Sequence, residues 1–231
     1  MLGGNSCKKI AEAAKILKEG QPVLIFDSKG REEEVDMVYL AKYIGYKEIY
    51  DLRVNAGGLI CYATEEKITR QLGIPYGYEI YGDIASLKPL TEKVLGYGDR
   101  PAFTIWVNHI SVKTGIRDKD RARTIARLHQ VVELVKNNQV DKAYTIFREE
   151  FIAPGHVPIL AAKDILERRG HTELSIVLTN LIGETPSVVL AEMLDAGEAL
   201  SLEEAEAIAK RRGIVLLYGD DILKCYEESL Q

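Results

Sequence analysis

The 231-residue chain has only three cysteines, Cys7, Cys61 and Cys225. They are odd in number, far apart and in no Cys-x-x-Cys spacing, so neither a disulfide framework nor a thiolate zinc site is expected. A reducing cytosol fits that usage best. No apolar run approaches the ~20 residues that span a bilayer, and the amino-terminal Met1-Leu2-Gly3-Gly4-Asn5-Ser6 meets lysine-bearing sequence at once; neither a membrane span nor a targeting leader is expected. There is no basic excess either. With 30 Lys and Arg against 35 Asp and Glu, the formal net charge of -5 gives no field to attract nucleic acid or an anionic membrane. Internal repeats, low-complexity tracts and a clear linker are also missing, and 46% apolar residues suffice for a core, so residues 1–231 are read as a single domain.

What is present is an alternation of helical and strand patterns. Ile10, Ala13, Ala14 and Leu17 share one face of a helix over 7–19, with Ser6 as N-cap and Gly20 as stop. Val23 to Phe26 reads as a buried strand that ends at Asp27. Strand patterns recur at 59–63, 103–107, after Gly155-His156, at 187–190 and at 214–218. Helical patterns occupy 46–54, 65–72, 118–136 and 172–181, followed by a helix capped by Ser201 with Glu204 at the capping-box position. Residues 75–101, rich in Gly, Tyr and Pro, form the long loop, of the kind that covers active sites. The interleaving predicts a layered α/β architecture around a mixed or mostly parallel sheet.

Two segments carry the chemistry. Arg31-Glu32-Glu33-Glu34-Val35-Asp36 puts four carboxylates within five residues directly after a buried strand, where mutual repulsion requires solvent, arginines or a hard divalent cation. A solvated acidic turn would also account for it. Arg168-Arg169-Gly170-His171-Thr172-Glu173 offers an imidazole, two guanidinium groups and the opening turn of a helix, parts that suit a phosphate beside a metal; the alternative is a surface turn with a capping Thr. His156 in Pro154-Gly155-His156-Val157 could aim a second imidazole, and Glu192 beyond an apolar strand would be partly desolvated and placed for acid/base work. Cys61 reads most simply as a small core residue, and Asp118 to Thr124 as a surface with ion pairs.

Taken in order, Phe26-Asp27, Arg31-Glu32-x-Glu34-x-Asp36-Met37, Gly58-Leu59-Ile60-Cys61, Thr114-Gly115, Asp120-Arg121-x-x-Thr124, Pro154-Gly155-His156-Val157, Arg168-x-Gly170-His171-Thr172-Glu173 and Glu192 resemble the 3,4-dihydroxy-2-butanone 4-phosphate synthase family across nearly the whole chain. The resemblance implies an α/β fold of α+β type, a three-layer α-β-α sandwich around a mixed β-sheet, in a cytoplasmic homodimer with its site near the subunit interface. It implies Mg2+ or Mn2+ as cofactor, two ions per subunit, with Glu32 and His171 as metal ligands. By the same resemblance, ribulose 5-phosphate is held by Arg31, Glu32, Asp36, Arg168, Arg169, Gly170, His171, Thr172 and Glu192, with Asp27 and Cys61 lining the pocket. His156, Glu192 and Asp36 are then the catalytic residues. No second, zinc-binding catalytic domain is expected, because its cysteines are absent. An aldolase or isomerase of pentose phosphates would use a similar clamp but release no formate, and a non-catalytic nucleotide- or RNA-binding module remains a third reading.

Overall fold

Val23-Leu24-Ile25-Phe26 forms β1 (Val23–Phe26) and is buried at all four positions, as expected for a strand covered on both faces. The computed structural model describes residues 5–230, so the stretch Met1 to Gly4, which bore on the absence of a leader, lies outside the described residues. α1 (Asn5–Lys18) buries Ile10, Ala13 and Leu17 and stops before Gly20, whose φ of 76° is easy only for glycine. After β1 the acidic loop leads into β2 (Val35–Leu40), then a 3-10 turn, α2 (Tyr46–Asp51) and a π-type turn at Leu52–Ala56. β3 (Cys61–Glu65) and α3 (Glu66–Gln71) follow.

The segment 75–101 departs from the expected long loop, since it contains α4 (Gly77–Gly82) and α5 (Lys88–Thr91). Glu79 accepts from the Tyr76 N–H at 2.9 Å and closes the first turn of α4, and Pro89 lies in the first turn of α5, so helix-starting chemistry is hidden in a Gly- and Pro-rich composition. β4 (Phe103–His109), α6 (Asp118–Lys136), α7 (Val140–Glu150), β5 (Phe151–Ala162), α8 (His171–Leu181), β6 (Ser187–Glu192), α9 (Leu202–Arg212), β7 (Leu216–Tyr218) and α10 (Gly219–Ser229) complete the order. Gly155 and His156 lie inside β5 instead of ahead of it.

The strands form one seven-stranded sheet in the order β4-β5-β3-β6-β2-β1-β7. It is mixed: β3 and β5, and β1 and β7, are parallel, while the other neighbours are antiparallel. Period-two alternation divides each strand between two cores. Met37, Tyr39, Tyr62 and Val189 pack against Ile125, Leu128 and Val132 of α6 on one face. Ile25, Val38, Ala63 and Leu190 pack against Ile10, Leu174 and Ile222 of α1, α8 and α10 on the other. The result is the three-layer α-β-α sandwich around a mixed sheet. Asp36 alternates with Val35 and Met37 and therefore falls on the α8 face, as does Glu192, its register partner on β6.

The cysteine expectation is corrected. Cys7 and Cys225 are disulfide-bonded, with Cα atoms 5.1 Å apart, and only Cys61 is free. Their separation of 218 residues misled because the first and last helices, α1 and α10, pack side by side. The cysteine-based argument for a reducing compartment therefore falls. Ser6 is likewise not an N-cap: it lies inside α1, and its Oγ donates to Asp221 of α10 at 3.2 Å, beside the Lys9–Asp221 pair at 2.7 Å.

Asp118 to Thr124 is more than a surface of ion pairs. Asp120 is buried at the start of α6, where it accepts from the backbone N–H groups of Thr114 and Gly115 at 3.2 and 3.0 Å and from Arg117 at 2.9 and 3.0 Å. Arg117 above all, with those two N–H groups, outweighs burial and holds the Asp120 carboxyl below the usual carboxylate range.

Two expectations follow from this frame. Cys225→Ser should cost about 2–4 kcal/mol, seen as a lower melting temperature that reductant reproduces in the wild type and does not deepen in the variant; unchanged melting would remove the disulfide from the account. Asp120 has a folded pKa below its unfolded value near ~3.9, so its contribution is full above about pH 4 and lost as pH falls below it. Asp120→Asn should therefore cost about 1–3 kcal/mol at pH 7, and denaturant titrations of the two proteins should draw progressively together as pH falls below about 4.

Candidate functional site

The loop after β1 is folded by Asp27, whose buried carboxylate accepts from the N–H groups of Glu32 and Glu34 at 3.1 and 3.2 Å and from Arg31 at 3.2 Å. That fold sorts the acidic run. Glu33 sits at φ 58° and is exposed, accepting only from Gly30, whereas Glu32 turns inward and Asp36 is buried in β2. His171, the first residue of α8, arrives from 139 positions away. Its Nδ1 lies 3.3 Å from Glu32 Oε2 and 3.7 Å from Asp36 Oδ1, and its Nε2 lies 3.1 Å from the Glu34 carbonyl oxygen. Ligand atoms of Asp27, Glu32 and His171 fall within 4.8 Å of one another.

The electrostatics are those of crowded anions around one imidazole. Both ring nitrogens of His171 face acceptors, so both carry protons; burial opposes that charge, but Asp36, Glu32 and Asp27 outweigh it and raise its pKa to about 9. Burial also opposes ionisation of Glu32, yet hydrogen bonds from His171 and Tyr97 and the charge of Arg31, 2.8 Å away, hold it down at about 2. Asp36 has less help. Burial pushes it up to about 7, against the pull of His171 and with the push of Glu192. Like charges paired directly across two strands are unfavourable for a sheet, so the Asp36–Glu192 pair has a cost that folding alone does not require.

Glu32, Asp36, His171 and Glu192 line a cavity of about 180 Å³ with Cys61, Thr172, Leu190 and Arg168, while Asp27, expected to line it, lies behind Glu32 and holds the loop. Glu192 is fixed at its edge, accepting from the Leu59 N–H at 2.8 Å, and a Cβ on Gly58 would stand 2.3 Å from its carboxylate. Only glycine allows that approach. Gly170 plays a similar part, since a Cβ there would meet the Arg168 and Arg31 guanidinium groups at 2.6 and 2.7 Å. Glu173 is not part of the cation cluster: it holds Arg168 and accepts from the Gly170 N–H at 3.2 Å, closing the first turn of α8. Two residues named from sequence are not brought in. Arg169 is exposed and makes no ion pair among the described residues. His156 is exposed on β5, held by Asn108 with its N–H 2.8 Å from Oδ1. Conversely, Tyr97 and Asp99 went unnamed, although they lie in the segment expected to cover the site; Tyr97 caps Glu32, and Asp99 lies 3.0 Å from Arg31 and 3.7 Å from Arg168.

The donor set suits a hard divalent cation. Its oxygens and one imidazole are ligands of the kind Mg2+ and Mn2+ accept, and Asp36 Oδ1 is buried without a hydrogen-bond partner among the described residues, an orphan that a cation would satisfy. The His171 imidazolium and Arg31 also bring positive charge to these carboxylates.

A sequence model of the 3,4-dihydroxy-2-butanone 4-phosphate synthase family matches residues 11–225. The 3,4-dihydroxy-2-butanone 4-phosphate synthase of Archaeoglobus fulgidus is 38% identical over 227 residues, which cover 94% of this chain and 93% of that protein. Among solved structures, a cation-free 3,4-dihydroxy-2-butanone 4-phosphate synthase superposes with a TM-score of 0.73 at 24% identity over 96% of this chain and 98% of its own. One described as a complex with two magnesium ions gives 0.72 at 24% identity over 95% and 96%. At that identity the structural likeness speaks for the fold.

Glu32→Gln should weaken Mg2+ binding, measured by titration calorimetry, by at least about tenfold, the lower end of what losing even an outer partner does. Glu33→Gln, one position along and turned to solvent, should leave it unchanged. Equal effects would mean that the run binds cations only as a diffuse acidic patch.

Proposed function

Because the chain belongs to the 3,4-dihydroxy-2-butanone 4-phosphate synthase family, we propose that it converts D-ribulose 5-phosphate to 3,4-dihydroxy-2-butanone 4-phosphate and formate for riboflavin biosynthesis, as a magnesium-dependent lyase. The observation that carries this reading is the convergence of Glu32, Asp36, His171 and Glu192 on one cavity beside two guanidinium groups. Each chemical need of the reaction, enolisation, loss of the C1 hydroxyl, a carbon shift and excision of C4, then has a group nearby.

Arg31, Arg168 and the opening turn of α8 through Thr172 hold the phosphate, the guanidinium groups by charge and the helix by its free N–H groups. Glu32 and His171 would hold the cation, His171 giving up its Nδ1 proton as the cation takes over the positive charge, with Asp27 close enough to join them. Two divalent ions, when bound, would polarise the ketone and its neighbouring hydroxyls and stabilise negative charge as a proton leaves. Asp36 and Glu192 are the proton carriers. They are register partners in different surroundings: Asp36 is buried with its pKa raised to about 7, which suits it to hold and release a proton near neutral pH, and Glu192 stands at the cavity edge within reach of the same space. Cys61 and Leu190 wall the space against water.

On this proposal residues 1–231 form one domain, which works in the cytoplasm with its phosphorylated substrate as a homodimer. His156 is four residues before Leu160 on β5, roughly 13 Å along the strand, and is not among the residues that line the cavity of its own chain. The sheet edge beside it exposes Trp106, Ile110 and Ile152, an apolar surface that a second copy would cover while receiving His156 at its own cavity.

Incubation with ribulose 5-phosphate and Mg2+ should release formate and a four-carbon phosphate; consumption of substrate without formate would indicate an isomerase or aldolase instead. Glu192→Gln should lower turnover by about 10²-fold or more while retaining Mg2+ binding. Mixed Glu192→Gln and His156→Ala chains should recover roughly a quarter of wild-type formate release, since half of randomly paired dimers then hold one intact composite site. No recovery would return His156 to a structural role.

A further inference from the structure

The segment Leu95 to Pro101 lies against the cavity, and two of its side chains bind site residues. Asp99 places its carboxylate 3.0 Å from Arg31 Nη2 and 3.7 Å from Arg168 Nε, and the Tyr97 hydroxyl donates to Glu32 while its ring lies 4.6 Å from the Arg31 guanidinium carbon. The rest of the segment is a small turn, in which the Gly98 N–H donates to the Leu95 carbonyl at 2.8 Å and the Leu95 N–H to the Asp99 carbonyl at 3.0 Å, with Arg100 stacked over the Tyr78 ring. Both arginine side chains are nine-tenths buried, and the Nε of each has no hydrogen-bond partner among the described residues. They stand at the first turn of an 11-residue helix, α8, where a Cβ on Gly170 would touch both. A buried pair of guanidinium groups with spare donors, at a helix N-terminus, is a site for an oxyanion. Here a carboxylate of the chain's own is in that position.

We propose that residues 95–101 form a gate, with Asp99 as an internal stand-in for the anionic group of the substrate. The inference rests on the reading that Arg31 and Arg168 hold a phosphorylated substrate. An incoming phosphate must displace Asp99 from the arginines, and a ligand that engages Glu32 must displace Tyr97, so the two latches release the same segment. Closed, the gate adds a carboxylate to two guanidinium groups that Asp27, Glu32 and Glu173 pair on their other sides, and caps Glu32; open, it leaves their remaining donors to a ligand. The apparent affinity for an anion is then lowered by the fraction of chains that are closed, and any change that weakens a latch raises it. The gate favours ligands with a dianionic phosphate over small monoanions, which compete poorly with a tethered carboxylate.

Inorganic phosphate titrated into the full-length protein tests this without turnover. Asp99→Asn and Tyr97→Phe should each bind phosphate about five- to tenfold more tightly than wild type, within the usual range of coupling between competing contacts. Hydrogen exchange of residues 95–101 in the wild-type chain should speed up when phosphate is added, a readout that needs no variant. Tighter binding in Asp99→Asn alone, with exchange unchanged, would report only the loss of a negative charge and overturn the gate; so would no tightening in either. A chain that makes no formate but shows the expected binding and exchange would lose the activity and keep the gate, and the reverse pattern would lose the gate alone.

Discussion

The structure depends on the meeting of His171 with the acidic loop. Glu32, Asp36 and Asp27 could not be buried this close together without a positive charge among them, and the imidazole at the start of α8 supplies it from the far half of the sequence. The compensation works in both directions. The carboxylates raise the His171 pKa, the imidazolium lowers that of Glu32, and neither charge is tolerable where it stands without the other. Such a cluster is a poor way to stabilise a fold, because apolar residues of similar size would remove the same desolvation cost. Perturbed titratable groups gathered in a cavity are the arrangement that binding and catalysis use, which is the physical ground for the function proposed above.

The sheet turns this local chemistry into geometry. β2 and β6 pair antiparallel with Asp36 opposite Glu192, and the same alternation that sends Met37 and Ala191 into one core sends the two carboxylates to the other face, under α8. A one-residue slip in either strand would bury these acids against α6 and expose the core, so the apolar residues on both faces fix the register that the site needs. β1 contributes differently. It ends just before Asp27, whose carboxylate accepts from two backbone N–H groups and turns the loop so that Glu32 faces in and Glu33 faces out.

Much of this was legible in the chain, and the limits have physical causes. The helix and strand patterns placed β1, β6, α6 and α8 closely, because buried strands and amphipathic helices write their periods into consecutive residues. Glu32, Asp36, His171, Thr172 and Glu192 were legible as motifs and do share one cavity. The terminal helix α10 and its disulfide to α1 were missed, since pairing across 218 residues leaves no local mark. Tyr97 and Asp99 were missed because a Gly-Tyr-Gly-Asp run signals a turn, and only the folded chain reveals what that turn lies against. Arg169 was grouped with Arg168 by adjacency, yet Glu173 and Asp99 draw one guanidinium inward while its neighbour on the same turn points to solvent.

The disulfide acquires a second meaning when α8 is considered with it. α10 packs on both α1 and α8, and Gly219 at its start approaches the Asp27 carbonyl so closely that a Cβ would stand 2.3 Å from the oxygen and 3.1 Å from Leu174. The helix that carries His171 and the residue that folds the acidic loop therefore share one support. Cys7–Cys225 and the Lys9–Asp221 pair tie that support to α1, which packs on the same face of the sheet. Binding geometry depends on how firmly its supports are held, and a frame tied this way keeps ligand atoms of Asp27, Glu32 and His171 within 4.8 Å of one another. The two ends of the chain, remote from the chemistry in sequence, are thus part of what keeps the site assembled.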